Sequence, residues 1–273
     1  MPAEPAGEAG AADAEVLAGR SCGGRVARIT INRPQVRNAM SWAVVRGLRA
    51  AFAEAKADPE VRVVVLSGAG DKAFCSGADL GGMAGGDEGF LPVHDARGEL
   101  AGLFGEMWSM GKPTIASVQG WAMAGGFGLA LACDMVVASE RARFGAPEVN
   151  VGLWPYMITV PLVRSMPPKQ ALELMMTGRV VEAEEALRMG FVTRVVPHDQ
   201  LDATVEELAA SLAAKSPAAM RLGRSAFYAV WDMASADALG YLHAMLTITT
   251  MTEDSAEGIA AFLEKREATW RGR

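Results

Sequence analysis

Histidine and cysteine are both scarce in this chain, which has three of each among its 273 residues. Cys22, Cys75 and Cys133 are widely spaced and form no CxxC pair, so the sequence predicts neither a disulfide framework nor a zinc knuckle. This cysteine usage fits a reducing compartment, and we expect a cytoplasmic protein. The sequence contains no HExxH motif and no histidine cluster, and we therefore expect no metal site.

Positive charge is not in excess, because 26 lysines and arginines are outweighed by 32 aspartates and glutamates. We therefore expect no nucleic-acid partner. The hydrophobic content of 51% is too high for a disordered chain. Residues 113–133 carry no charge and are long enough to span a membrane, but Gln119 and several glycines interrupt them. We interpret them as a buried strand, a turn and a helix, and expect no membrane association.

The first 13 residues have no basic residue and no leucine-rich core, so we expect a disordered tail and not a targeting segment. Glycine is abundant, with 30 residues, which indicates tight turns or backbone that packs closely against other atoms. The low-complexity run GGMAGGDEG at residues 81–89 is typical of a mobile loop that forms a wall of a site.

Short apolar runs flanked by turn residues predict strands, at residues 25–32, 61–66, 114–118 and 135–138. Ser41 is the expected cap of a helix that extends to about residue 57. This alternation predicts the α/β class with a largely parallel sheet. Helical periods dominate after residue 167, at 170–177, 183–189, 201–215, 218–231, 236–249 and 254–267, and only 192–196 looks extended. We place a core at residues 14–197 and a helical C-terminal region at 198–273.

Two glycine-rich segments, residues 67–80 and 119–129, each follow a predicted strand directly. Neither matches a known nucleophile or phosphate motif, because Ser76 is not in a GxSxG sequence and Gly126 occupies the place of a phosphate-loop lysine. Each segment has a glycine just before exposed backbone N–H groups. Two such groups that converge would form an oxyanion hole; the alternative is that both segments are only tight turns.

Six motifs occur in order along the chain: ITINRPQVRNAMS (29–41), LSGAGDKAFCSGADL (66–80), KPTIASVQGWAMAGGFGLALACDMVVAS (112–139), ARFGAPEVNVGLWP (142–155), MTGRVVEAEEALRMGFVTRVVP (176–197) and EGIAAFLEKREATW (257–270). Through them the chain resembles the crotonase (enoyl-CoA hydratase/isomerase) superfamily from about residue 16 to residue 270. The resemblance implies a spiral of ββα turns with a helical trimerisation region, assembled as a homotrimer or a dimer of trimers. It also implies an acyl-CoA substrate.

The same resemblance assigns roles to individual positions. The oxyanion hole would consist of the backbone N–H groups of Ala78 and Gly125, which bind the thioester carbonyl. The implied CoA-binding residues are Lys72, Ala73, Phe74, Asp79, Leu80, Phe262 and Lys265, of which the last two would approach the CoA of a neighbouring subunit. We expect Asp79 to hold its loop by accepting backbone N–H bonds.

One departure from the family pattern bears on the chemistry. Hydratases of this family carry two glutamates, and here Gly128 takes the first position while Glu148 takes the second. Glu148 is therefore the expected sole general acid/base, with a pKa raised by an apolar pocket. Met123, Gly128, Trp154 and Tyr156 are the expected pocket residues, and Tyr156 could donate a proton.

These features predict an enoyl-CoA hydratase/isomerase-type enzyme that needs no cofactor, since coenzyme A is part of the substrate. One carboxylate suits a double-bond shift, whereas hydration also needs a water that is held and deprotonated. Two alternatives remain. One is a thioester hydrolase or decarboxylase on the same scaffold, and the other is a weakly catalytic CoA-binding protein.

Overall fold

A computed structural model describes residues 14–79, 81 and 89–273 of the chain. The expected tail at residues 1–13, Leu80 and most of the glycine-rich run at 81–89 lie outside the described residues. No helix within the described ranges is both long and apolar enough to cross a membrane.

The strands divide between two sheets. In chain order they are β1 (Val16–Ser21), β2 (Val26–Ile31), β3 (Val63–Gly68), β4 (Ala73–Cys75), β5 (Thr114–Val118), β6 (Trp121–Met123), β7 (Met135–Ser139), β8 (Arg143–Gly145), β9 (Val180–Glu182) and β10 (Arg194–Val196). The larger sheet has the order β1-β2-β3-β5-β7-β10, and the smaller one β4-β6-β8-β9. β1 and β9 pair antiparallel with their neighbours, and the other pairs are parallel.

The helices are α1 (Trp42–Ala57), α2 (Phe90–Trp108), α3 (Gly125–Ala132), α4 (Thr159–Ser165), α5 (Pro168–Thr177), α6 (Ala183–Met189), α7 (Leu201–Ala213), α8 (Pro217–Val230), α9 (Ser235–Thr250) and α10 (Glu253–Glu264). The side chain of Ser41 accepts a hydrogen bond from the Val44 N–H at 3.1 Å and caps α1 as expected. The sequence patterns did not predict β1, α2, α4 or the four short strands of the smaller sheet.

Three successive turns of the chain each contribute one strand to each sheet. β3 is followed by β4, β5 by β6 and β7 by β8, and a helical segment follows every such pair. The α/β architecture is therefore the predicted spiral of ββα turns.

Both faces of the larger sheet are covered. Along β3, Val64 and Leu66 pack into the core beneath α1 and α2, whereas Val63 and Val65 face the other way. That second face is covered by residues of α7 that recur every four positions, namely Leu201, Val205, Ala209 and Ala213. α7, the first helix of the predicted C-terminal region at residues 198–273, therefore packs on the α/β core.

A largely buried ionic cluster attaches α8 to this core. Arg224 Nε donates to Asp134 Oδ2 at 2.8 Å, and the hydroxyl of Tyr228 donates to Asp134 Oδ1 at 2.6 Å. The remaining Arg224 nitrogens donate to the carbonyls of Trp108 and Met107, each at 2.8 Å. Arg224 therefore satisfies both a buried carboxylate and the carboxyl end of α2.

Replacing Arg224 with leucine should destabilise the fold by about 3 kcal/mol, because Asp134 would keep a buried charge without its cationic partner. Chemical denaturation measures this change. The matched control is Arg221→Leu, which removes an exposed arginine from the same helix and should change stability by less than about 0.5 kcal/mol. Equal effects of the two substitutions would show that the cluster contributes little.

Candidate active site

Three parallel strands of the smaller sheet end at one edge, and a predicted site residue follows each of them. Ala78 lies three residues after β4, Gly125 two residues after β6 and Glu148 three residues after β8. β6 lies between β4 and β8. Because the carboxyl ends of neighbouring parallel strands share one edge of a sheet, the fold brings these three positions together.

The segments that carry the two predicted N–H donors touch each other. A β-carbon placed on Gly77 would lie 2.8 Å from the β-carbon of Ala124, so the residues that precede Ala78 and Gly125 are in direct contact. The N–H of Ala124 also donates to the carbonyl of Gly145 at 2.8 Å. All three strand ends are therefore linked through Ala124.

Local backbone geometry leaves both predicted donors available. Met40 donates its N–H to the Gly77 carbonyl and accepts from the Asp79 N–H, each at 2.8 Å. In such a parallel bridge the N–H of the central residue, Ala78, points away from the neighbouring chain. Gly125 is the first residue of α3, so its N–H has no acceptor within the helix. Ala124 before it has a strained φ of 51°, as is common at functional sites.

Glu148 is half-buried in a short 3-10 helix, Pro147–Val151. Its Oε2 atom is buried and has no hydrogen-bond partner among the described residues. Burial raises the pKa of this carboxyl above its ordinary value. The folded chain therefore binds this proton more tightly than the unfolded chain does. The protonated carboxyl thus stabilises the fold at low pH, and this contribution is lost as the pH rises through the raised pKa. A carboxyl with a raised pKa and a buried oxygen that lacks a partner is typical of a catalytic acid/base.

Gly128 lies on α3 with no room for a side chain. A β-carbon there would overlap Cγ2 of Ile158 and lie 3.0 Å from both Cβ of Ile158 and Cζ of Phe104. Ile158 is 2% exposed. The position of the first family glutamate is therefore filled by apolar neighbours, and Ile158 is a site residue that the sequence patterns did not indicate.

The segment predicted to bind CoA borders a cleft of about 190 Å³. Lys72 and Ala73 line it together with Arg37 and Asn38, whereas Phe74 is fully buried beneath it. The buried Asn38 amide donates to the carbonyls of Ala69 and Ala73 at 2.9 and 2.7 Å. Asn38 was missed by the sequence reasoning, although its φ of 56° is a conformation that asparagine tolerates well.

Gln119 supports the same segment. Its side-chain amide donates to the carbonyls of Gly68, Gly70 and Ala73 at 2.8, 3.1 and 2.8 Å. Since three carbonyls share one amide group, Gln119 fixes the path of the chain between β3 and β4.

Asp79 is held by an arginine on the segment before α1. Its carboxylate accepts from the guanidinium of Arg33 at 3.0 Å. Arg33 is in turn paired with Glu15 at 2.9 Å. Arg33 therefore ties the segment that carries Ala78 to the residue before β1.

The remaining predicted pocket residues differ in their placement. The methyl group of Met123 packs over Gly145, and Trp154 is partly buried against the core. Tyr156 is 75% exposed on the surface of the chain, so the structure does not place it in an enclosed pocket as the sequence reasoning expected. Phe262 is 82% exposed, and Lys265 after it ends α10 on the surface.

Two other features of the described residues bear on the choice of site. They contain no group of three or more histidine, cysteine, aspartate or glutamate residues that could hold a metal ion. A separate cleft of about 250 Å³ lies between α8 and the core, lined by Trp108, Arg164 and Trp231 among others, and it contains none of the predicted site residues. The strand ends around Glu148 therefore remain the candidate site.

The family model described as enoyl-CoA hydratase/isomerase matches residues 22–273. The chain belongs to the enoyl-CoA hydratase/isomerase family. It is 40% identical over 250 residues to a putative enoyl-CoA hydratase of Thermus thermophilus, covering 89% of this chain and 96% of that protein. It is 38% identical over 256 residues to carnitinyl-CoA dehydratase of Salmonella heidelberg, with coverages of 92% and 96%.

Solved structures agree with this assignment. The crystal structure of an enoyl-CoA hydratase from Bacillus anthracis superposes with a TM-score of 0.90 at 32% identity, covering 95% of this chain and 100% of that one. An enoyl-CoA hydratase from Mycobacterium smegmatis gives a TM-score of 0.88 at 34% identity, with coverages of 94% and 98%. The crotonase fold and membership of this lyase and isomerase family, both expected from the motifs, are confirmed.

The contact between Gly77 and Ala124 makes position 77 sensitive to any side chain. Gly77→Ala should lower kcat/KM for an enoyl-CoA at least about tenfold, because Ala124 must move and shift the adjacent Gly125 N–H. Steady-state assays measure the effect. Gly190 also has a positive φ, of 89°, but open space around it. Gly190→Ala should therefore introduce similar backbone strain and keep the activity; equal losses in both variants would contradict the role of the contact.

Proposed function

We propose that this enzyme removes a proton from the acyl group of a CoA thioester and returns one to it, with Glu148 as the sole general acid/base. In this mechanism the backbone N–H groups of Ala78 and Gly125 bind the thioester carbonyl. The observation that carries the proposal is the buried Oε2 of Glu148, which lacks a hydrogen-bond partner among the described residues. It lies at the sheet edge where β4 and β6, the strands that precede the two donors, end.

The chemistry follows from where charge develops. Removing a proton beside a thioester carbonyl places negative charge on the carbonyl oxygen, and two prearranged N–H donors stabilise it, each by about 3 kcal/mol. A carboxyl whose pKa is raised by burial accepts a proton more readily and can return it near neutral pH. We assign no cofactor to this reaction, because these groups account for the proton and for the charge, and coenzyme A is part of the substrate.

Substrate binding would use the cleft beside Lys72 and Ala73. A positive side chain and exposed backbone at this edge suit the phosphates and the adenine of CoA, and Asp79 would position the donor loop through Arg33. The names of the Thermus and Salmonella relatives, a putative hydratase and a carnitinyl-CoA dehydratase, support a CoA thioester as the substrate.

We further propose a homotrimer, or a dimer of trimers, built on the C-terminal helices. α9 has no buried residue within one chain, although its outer residues include Leu239, Leu242 and Leu246, and the last is 64% exposed. An apolar helix face of this kind favours burial against another copy. In such an assembly the exposed Phe262 and Lys265 could reach the CoA of a neighbouring subunit. The free cysteines support our proposal of a cytoplasmic location.

Glu148→Gln should lower kcat at least about 100-fold, because the amide cannot transfer the proton. CoA affinity, measured by calorimetry, should stay unchanged. In the parent enzyme the rate of the base-dependent step should fall as the pH drops through the raised pKa of Glu148, since the protonated carboxyl cannot accept a proton. Glu140→Gln, at an exposed position, is the control. Full turnover by Glu148→Gln would refute the role of Glu148.

Analysis of the reaction products in the kinetic assay also tests the hydrolase, decarboxylase and binding-protein alternatives. Release of free CoA would indicate a hydrolase, and loss of carbon dioxide from a malonyl-type thioester would indicate a decarboxylase. CoA binding without turnover of any of these substrates would indicate a binding protein.

The proposed assembly has its own measurement. Light scattering coupled to size exclusion should give the mass of three or six chains for the parent protein. Leu246→Glu should shift it towards one chain, because a charge would be buried in the interface. Leu187→Glu, on α6 outside the C-terminal helices, should not change the mass. A monomeric parent protein would refute the proposed assembly.

A further inference from the structure

The wall of the site next to the carbonyl-binding position is apolar. Gly125 and Gly128 are three residues apart on α3 and therefore face the same side, about 5 Å from each other. Leu100 and Phe104 of α2 pack against this face, and Ile158 closes it at Gly128. The three atoms nearest to a β-carbon at position 128 are all carbons.

We propose that Ile158 selects the reaction of this enzyme: by filling the space beside Gly128 it excludes a catalytic water, so that the site shifts a double bond and does not hydrate one. This inference rests on the proposed function, since it requires an acyl thioester bound at Ala78 and Gly125. Ile158 acts as a specificity-determining residue that shapes the pocket and transfers no proton.

Hydrogen bonding decides whether a water molecule can be held beside the substrate. A water molecule held in a protein cavity needs two to four polar partners. A nucleophilic water at the β-carbon of an enoyl thioester would have the Glu148 carboxylate as one partner, but the atoms of Ile158 and Phe104 nearest to a β-carbon at position 128 are carbons and form no hydrogen bond. Within the part of the chain that the structure describes, position 128 therefore offers no second polar group to orient such a water.

A double-bond shift needs no water. Glu148 takes a proton from C2 of a 3-enoyl thioester, and the electron pair of the broken C–H bond moves towards the carbonyl, whose oxygen becomes negative. The same carboxylic acid then returns the proton to C4. The double bond between C3 and C4 is lost and one forms between C2 and C3, so no atom is gained or lost and Glu148 is regenerated.

Positions 128 and 158 are sterically coupled, which determines the design of the test. A glutamate at 128 alone would collide with Ile158, so Gly128→Glu by itself should misfold or be strongly destabilised. The double substitution Gly128→Glu with Ile158→Ala provides the space. Gly128→Gln with Ile158→Ala is the matched control, because it has the same shape but cannot transfer a proton.

The parent enzyme and both double variants would be assayed with 3-hexenoyl-CoA for isomerisation and 2-hexenoyl-CoA for hydration, after their folding and CoA binding are verified. We expect the parent kcat/KM to be at least tenfold higher for isomerisation. The Glu-containing double variant should gain at least tenfold in hydration over both the parent and the Gln control. Parent hydration equal to or faster than isomerisation would overturn the inference, as would a folded, CoA-binding double variant that gains none.

A labelling experiment on the parent enzyme applies even if the double variants do not fold. With 3-hexenoyl-CoA deuterated at C2, a dry site should carry a measurable part of the deuterium to C4 of the product, as seen by mass spectrometry. Complete loss of the label to solvent would overturn the exclusion of water. Full activity of Glu148→Gln would refute the proposed function itself. If Glu148→Gln is inactive but the parent enzyme hydrates faster than it isomerises, only the role of Ile158 is refuted.

Discussion

Close packing between two consecutive turns of the spiral is the constraint on which the site depends. The segment after β3 and the segment from β5 into α3 approach each other backbone to backbone. At Gly120 and Gly126 a β-carbon would overlap a carbonyl oxygen of the opposing segment, and at Gly77 it would crowd Ala124. The abundance of glycine, which indicated either turns or close backbone packing, thus has a structural explanation. Because side chains are absent along this contact, the two predicted N–H donors lie in adjacent segments.

The site also imposes an energetic cost. A carboxylate oxygen buried without a partner destabilises the folded chain, and the strained φ of Ala124 adds to this. The surrounding structure offsets both costs through buried polar groups such as Asn38 and Gln119, whose amide nitrogens donate to several carbonyls and hold the chain around the site. The hydrogen bonds around the site thus stabilise the fold, whereas Oε2 of Glu148 has no hydrogen-bond partner among the described residues.

The C-terminal helices differ in how they pack against the α/β core. α7 covers one face of the larger sheet, and α8 is attached to the core by the Arg224 and Asp134 pair. α9, by contrast, buries nothing within one chain. Helical periodicity shows that a face is apolar but not which surface covers it, so only packing distinguishes α7 and α8 from the peripheral α9.

The sequence alone determined the family, the alternation of strands and helices, and the positions of Ala78, Gly125 and Glu148, because these depend on local motifs. It did not indicate α2, whose Pro92 and three glycines disfavour a helix and whose Leu100 and Phe104 are held by packing. Nor could it show Tyr156 on the surface or Ile158 against Gly128. Those placements depend on contacts between residues about 30 positions apart or more, which only the tertiary fold creates.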